Sequence, residues 1–137
     1  MSKTILITGC STGIGYICAH ALKQQGFNVI ASCRRQQDVT RLQKEGLTCI
    51  QLDLNDSASI SNAVTKTVQL CENNLFALFN NGAYGQPGAL EDLPVQALKE
   101  QFQSNFFGWH QLVPSIRDSR DSFLYADEWG IQFYNAS

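Results

Sequence analysis

Three glycines, Gly9, Gly13 and Gly15, follow the apolar run Ile5-Leu6-Ile7 in the order Thr8-Gly-Cys-Ser-Thr-Gly-Ile-Gly15. A buried strand that turns at once into a helix needs a bend free of Cβ, and Gly9 supplies it. Gly13 leaves the backbone open to an approaching oxygen, and Gly15 lets the new helix lie close on the strand. A helix starting near Gly13 then presents unpaired N–H groups and the positive end of its dipole. The hydroxyls of Ser11 and Thr12 add donors, and Ile14 sits among them. Such a bend suits the pyrophosphate of a dinucleotide. A glycine-rich turn with no ligand is the plainer alternative, but a triplet placed between a strand and an amphipathic helix favours the first reading.

A second charged position follows the run Phe27-Asn-Val-Ile-Ala-Ser-Cys33, where Arg34 and Arg35 stand side by side. A site selective for NAD wants a carboxylate about 20 residues beyond the glycines, accepting from the ribose hydroxyls. Residues 1–37 contain no acidic residue, and Cys33 occupies that slot. A guanidinium suits a 2′-phosphate because its fork donates two hydrogen bonds and its charge is permanent. NADP is therefore expected over NAD, with Arg34 the better candidate. Two solvated arginines at a strand end are the alternative. Asp38 reads as a helix N-cap and not as a ribose ligand.

The elements that must hold these residues alternate. Strands are expected near 3–8, 27–32, 47–52 and 75–80, and helices near 13–25, 37–45, 57–72 and 94–117. Ile60, Ala63, Val64, Thr67, Val68 and Cys71 form one stripe of the third helix, with Asp56 and Ser57 as capping candidates. Val95, Leu98, Phe102, Phe106, Trp109, Leu112, Val113 and Ile116 line the fourth. Pro94 suits its first turn, while Pro114 ends or kinks it. Alternating strands and helices give a parallel sheet covered on both faces, with ligands at the carboxyl ends of its strands. The Gly9 loop, Arg34, Asp53 and Asn80 all fall there. Residues 118–137 show no convincing fifth strand, so the chain divides into a nucleotide-binding domain, 1–117, and an atypical tail, 118–137. The later side of the sheet is then expected to be incomplete, with an open edge.

The spacing Thr8-Gly9-x-x-x-Gly13-Ile14-Gly15 resembles that of the short-chain dehydrogenase/reductase family. Asp53-Leu54, Asn80-Asn81-Gly82-Ala83 and Asn105-Phe-Phe-Gly match its further motifs, in order, from residue 3 to about 113. The resemblance implies a Rossmann-like, doubly wound sheet. It implies that Asp53 and Leu54 lie beside adenine, and that Asn80, Asn81 and Gly82 belong to the cofactor site. Gly82-Ala83 reverses the family's Ala-Gly; if position 83 needs a positive φ, Gly85 absorbs the turn instead. It further implies hydride transfer between NADP(H) and a small carbonyl or alcohol. A tyrosine gives the proton, a lysine four residues later lowers its pKa, a serine positions the carbonyl, and a helical asparagine holds a relay water. Asn105 matches that asparagine. Tyr134-Asn-Ala-Ser137 looks like the opening of the tyrosine–lysine motif, but no lysine follows Lys99, and Asp121 stands where the serine is expected. Tyr134 is thus a catalytic remnant or an unstructured terminal aromatic. The tail reads as a truncation, deletion or frame change, and the chain as the cofactor half of an oxidoreductase with little activity alone. A non-catalytic dinucleotide-binding or hetero-oligomerising fragment is the alternative.

Composition bounds these readings. The 137 residues are 44% apolar and carry a net charge of −2, so electrostatics give no sign of a nucleic-acid partner. No run approaches membrane-spanning length. Five cysteines, at 10, 18, 33, 49 and 71, have no metal-ligand spacing. Their odd number, with no secretory segment, predicts reduced thiols and a cytoplasmic chain. The aromatic stripe of the 94–117 helix is core packing or a face through which copies associate.

Overall fold

The computed structural model describes residues 2–82, 88–118, 122–127 and 130–135, the last two segments by their backbone alone. Its elements are β1 (Thr4–Ile7), α1 (Gly13–Gln24), β2 (Asn28–Cys33), α2 (Gln36–Lys44), β3 (Thr48–Gln51), α3 (Ser57–Leu70), β4 (Leu75–Phe79), α4 (Val95–Phe102), α5 (Gly108–Arg117), β5 (Ser122–Asp127) and β6 (Gly130–Asn135). The sheet runs β3-β2-β1-β4-β5-β6. The first five strands pair in parallel, and β6 is antiparallel to β5. The chain leaves β1 to one side for β2 and β3, then returns to its other side for β4. The order therefore reverses between β1 and β4, which is where sheets of this kind open a crevice at their carboxyl ends.

Two cores follow from strand alternation. Leu6, Ile30 and Ile50 face one side, packed with Ile60 and Ala63 of α3 and Leu112 and Ile116 of α5. Ile5, Ile7, Val29, Ala31 and Cys49 face the other, against Ala19 of α1 and Val39 and Leu42 of α2. An irregularity in the β1–β4 register, between the pairs Thr4↔Leu75 and Ile5↔Ala77, inserts Phe76 as an extra residue. That extra residue breaks the alternation along β4, so Leu75 and Leu78 share one core although they are three apart.

Three expectations are corrected. Asp38 is not an N-cap: α2 begins at Gln36 with Arg35 in the cap position, and Asp38 lies in the first turn, where its carboxylate meets Arg41. Pro114 does not end its helix, which runs on to Arg117. Pro94 is the residue just outside the helix start, and the Asp56 cap is present, its side chain accepting from the amides of Ala58 and Ser59. The third correction concerns the tail. Residues 122–127 do form a fifth strand, pairing Ala77↔Leu124 and Phe79↔Ala126, so the β4 edge is covered. Main-chain groups can complete a sheet edge whatever the polarity of the flanking residues. The short β-prone runs Phe123-Leu-Tyr and Ile131-Gln-Phe-Tyr were the signal for it.

Residues 95–117 form one continuous helix whose middle turn, Gln103–Phe107, is π-helical. It presses on the segment after β3. A Cβ at Gly108 would collide with the Leu54 carbonyl oxygen and lie 2.8 Å from Leu54 Cβ. Replacing a helical glycine by alanine gains about 1 kcal/mol of propensity. Overpacking against backbone costs about 1–3 kcal/mol and wins where nothing can move aside. Gly108→Ala is therefore expected to lower the thermal midpoint, whereas Ala substitution of Gly26, which lies outside any element with open space around it but at φ 89°, should act only through backbone strain; thermal melts followed by circular dichroism compare them.

Candidate functional site

The crevice between β1 and β4 is built on one hydroxyl. Thr8, almost fully buried, donates from Oγ1 to Asn80 Oδ1 at 3.1 Å. The same oxygen accepts from the backbone amides of Asn81 at 2.9 Å and Gly82 at 2.7 Å. The Thr8 amide itself donates to the Phe79 carbonyl at 3.0 Å. The segment after β1 and the segment after β4 are thus drawn together into near contact. A Cβ at Gly9 would lie 2.8 Å from Gly82 Cα, and Gly9 also adopts φ 68°, a left-handed conformation that glycine takes without strain. A Cβ at Gly15 would overlap the Gly9 carbonyl oxygen and lie 2.7 Å from Asn81 Nδ2. Gly15 therefore packs on the loop more than on the strand. Asn81 Nδ2 in turn donates to the Gly9 carbonyl at 3.2 Å.

Gly13, at φ 64°, has open space where a Cβ would be. It starts α1, whose first turn holds no acidic residue and whose N-cap, Thr12, makes no side-chain capping bond. Among the described residues, the dipole end and first turn of α1 therefore have neither a capping side chain nor an acidic one. Ile14 beside them is 67% exposed. Behind the loop, Cys10 donates its amide to the Ser32 carbonyl at 2.9 Å and its thiol to the Ile7 carbonyl at 3.2 Å. Burial pushes that thiol up to about 12, so it packs and does not react. Cys33 and Cys49 lie with their sulfurs 3.9 Å apart on neighbouring strands. The contact with Cys33, and then burial, hold the Cys49 thiol protonated.

A cleft of about 530 Å³ opens in front of this clasp. Thr8, Gly9, Arg34, Asp53, Leu54 and Gly82 are among its walls, so six of the positions expected from sequence converge there. Arg34, exposed at the end of β2, supplies a cation. Asp53 is held by its own turn: its Oδ1 accepts from the Asn55 amide at 2.9 Å, and its amide donates to Ser59 Oγ at 2.9 Å. Asn80 and Asn81 stand behind the wall as the clasp's partners. Arg35 is the residue preceding α2 and is not a wall residue. Half-buried Ser11 and exposed Thr12, Gly13 and Ile14 form the approach to α1.

Asn105 lies in the π turn, and its Oδ1 accepts from Ser104 Oγ at 3.1 Å. Ser104 lines the cleft, which brings the π turn to its edge; such turns concentrate at functional sites. Tyr134 is in β6, its backbone paired with Phe123 of β5, two strands from β4. Its side chain lies outside the described residues, as do Ala83, Tyr84 and Gly85. Sequence reasoning missed Ser104 and Glu100 as wall residues, and it missed Trp109 Nε1, which donates to the Gly82 carbonyl at 3.0 Å. The signal available for Trp109 was its place one turn beyond Asn105 on the same helix.

The sequence matches the short chain dehydrogenase family over residues 3–119. It is 43% identical over 113 residues to the uncharacterized oxidoreductase YbbO of Escherichia coli, covering 82% of this chain and 42% of that protein. A short-chain dehydrogenase from Streptomyces avermitilis superposes with a TM-score of 0.81 at 26% identity, over 92% of this chain and 48% of the other. One from Burkholderia cenocepacia, solved in complex with NADP, superposes at 0.72 with 25% identity, over 85% of this chain and 50% of the other. A chain with the Thr8–Gly82 clasp, the reversed strand order and this match belongs to the short-chain dehydrogenase/reductase family. It spans half or less of the length of these relatives.

The clasp predicts the cost of removing its hydroxyl. Thr8→Val keeps the shape but strips two half-buried amides of their acceptor, which should cost about 2 kcal/mol in urea unfolding. Thr67→Val removes an equally buried hydroxyl whose bond, to the Ala63 carbonyl, duplicates a helical one. It should cost no more than about 1 kcal/mol.

Proposed function

We propose that this chain binds NADP(H) across the β1–β4 crevice and serves as the cofactor-binding half of an oxidoreductase acting on a small carbonyl or alcohol. The observation that carries the reading is the convergence of Arg34 with the Thr8–Gly9–Gly82 clasp on one cleft wall. The amides at the start of α1, with Gly9 and Gly13 keeping the backbone free of Cβ, hold the pyrophosphate. Arg34 takes the 2′-phosphate, with Arg35 a weaker contributor. Asp53 and Leu54 border the adenine, and Asn80, Asn81 and Gly82 fix the nicotinamide-side backbone. When bound, the reduced cofactor would supply a hydride to a carbonyl carbon. A proton must reach the oxygen as that happens. Asn105 is the candidate to hold a relay water, and Tyr134 is the tyrosine candidate for donor. Proton transfer from such a tyrosine also needs a nearby cation to lower its pKa, so cofactor binding and turnover are separable functions and binding is the one assigned to this chain.

A specific observation favours association as well. Phe102, Phe106 and Phe107, on the helix that carries Asn105, are each more than half exposed. We read this face as the one through which copies of the chain, or of a longer relative, pair; light scattering at rising concentration reports it. A cytoplasmic location accords with five unpaired cysteines among the described residues and is part of the same proposal.

The cofactor reading makes a quantitative prediction. A charge-assisted bond to the 2′-phosphate contributes about 1.5–3 kcal/mol, so NADPH should bind at least about tenfold tighter than NADH. Arg34→Ala should abolish that preference while leaving NADH affinity unchanged, and Arg35→Ala should alter it by less than about half as much in free energy. Fluorescence titration measures all three. Equal affinity of the unaltered chain for the two cofactors would contradict the assignment.

A further inference from the structure

Arg41 lies on α2, away from the cleft walls, yet it reaches the glycine-rich loop. Its Nη2 donates to the Ser11 carbonyl at 2.6 Å. The guanidinium is held from two sides: Nη2 also meets Asp38 Oδ1 at 3.3 Å, and Nη1 meets Glu45 Oε1 at 3.3 Å. Glu45, just past the end of α2, is fixed in turn from α1. It accepts from the Tyr16 hydroxyl at 2.9 Å and lies 3.1 Å from His20 Nε2. The Tyr16 and His20 rings meet edge to face with centroids 4.6 Å apart. The Tyr16 hydroxyl, with His20 and Arg41 adding to it, keeps the Glu45 carboxyl below its ordinary range, so this partner of Arg41 is available as an anion at neutral pH.

We propose that Arg41 is a positioning residue for the cofactor loop, setting the orientation of the Ser11–Thr12 peptide through its bond to the Ser11 carbonyl. The inference rests on the dinucleotide reading above. A trans peptide carries its C=O and N–H in opposite directions. Holding the Ser11 oxygen towards α2 therefore turns the Thr12 N–H away from α2. The stretch between Gly9 and Gly13 needs such a fixture, because both glycines are left-handed and flexible in the absence of a restraint. Cys10 is tied to β2 by its amide, and the Arg41 bond ties the next residue. A loop ordered before the ligand arrives binds it more tightly than one ordered by it.

Two features separate this role from that of a phosphate ligand. Arg41 is matched by two carboxylates, so its charge is already spoken for. It also acts on the loop that faces the pyrophosphate, which NADPH and NADH share. Its loss should therefore weaken both cofactors by one factor, whereas Arg34 discriminates between them.

The test titrates the full chain, Arg41→Gln, Arg41→Lys and Arg34→Ala with NADPH, NADH and 2′-AMP, the last a probe that lacks the pyrophosphate. Arg41 is 42% exposed along its side chain, and glutamine is a good helix former, so the variants should fold; far-UV circular dichroism checks this, and Glu45→Gln is a second route to loosening the same bond. Arg41→Gln is expected to weaken NADPH and NADH equally, by about tenfold, with 2′-AMP affinity unchanged and part of the loss recovered in Arg41→Lys. Unchanged binding of both cofactors to Arg41→Gln would overturn the proposal, and so would a loss confined to NADPH and 2′-AMP. A parent chain that binds neither dinucleotide would overturn the functional reading and this inference with it.

Discussion

Two stretches of main chain, one leaving β1 and one leaving β4, approach so closely that the first has no room for a side chain at the crossing. A Cβ on Gly9 would lie 2.8 Å from Gly82 Cα. The Thr8 hydroxyl holds the approach by accepting two amides and donating to Asn80. Hydrogen bonds of this kind are modest in net worth, but amides left without acceptors are costly even when half-buried, so the clasp is defended mainly by the penalty for opening it. The rest of the site depends on that distance. It brings the N-terminal end of α1, the Arg34 wall and the asparagines after β4 to one crevice, at the point where the strand order reverses.

The helix spanning 95–117 is tied to the same place. Its π turn presents Ser104 to the cleft and seats Asn105 beside it. Gly108 lets it lie against the Leu54 backbone, and the Trp109 indole reaches the Gly82 carbonyl. One helix thus contacts the segment after β3 and the segment after β4. Movement of this helix would disturb both the Leu54 segment and the clasp, which couples the position of Asn105 to the shape of the cleft. On the opposite side, α2 reaches the glycine-rich loop through Arg41. The loop is held from three elements, β2, β4 and α2, while its outer face stays open.

Much of this was legible in the sequence because the demands fall on single residues of unusual type. Glycines at 9 and 15 mark close approaches, and Arg34, read as a cation beyond β2, does stand on the cleft wall. The apolar spacing of α3 and the Asp56 cap gave that helix its bounds nearly to the residue. Where reading failed, the cause was tertiary. Asp38 has the chemistry of a cap, but Arg41 one turn later gives its carboxylate a better partner inside the helix. Residues 122–135 lack a clean apolar alternation, yet the open edge of β4 offers hydrogen bonds that a β-prone segment of mixed polarity can take. Arg41 and Trp109 act across long sequence separations, and no local pattern announces a side chain that bonds a distant carbonyl.

The central claim is that main-chain amides at the first bend hold a dinucleotide. The most direct measurement is amide NMR of the 15N-labelled chain during titration with NADPH. The account predicts that the largest shifts fall on Ser11 to Gly15, with Gly9 and Gly82 following as the clasp adjusts. Amides at the bend that stay unmoved while the cofactor saturates the chain, or shifts centred on another face of the sheet, would contradict it.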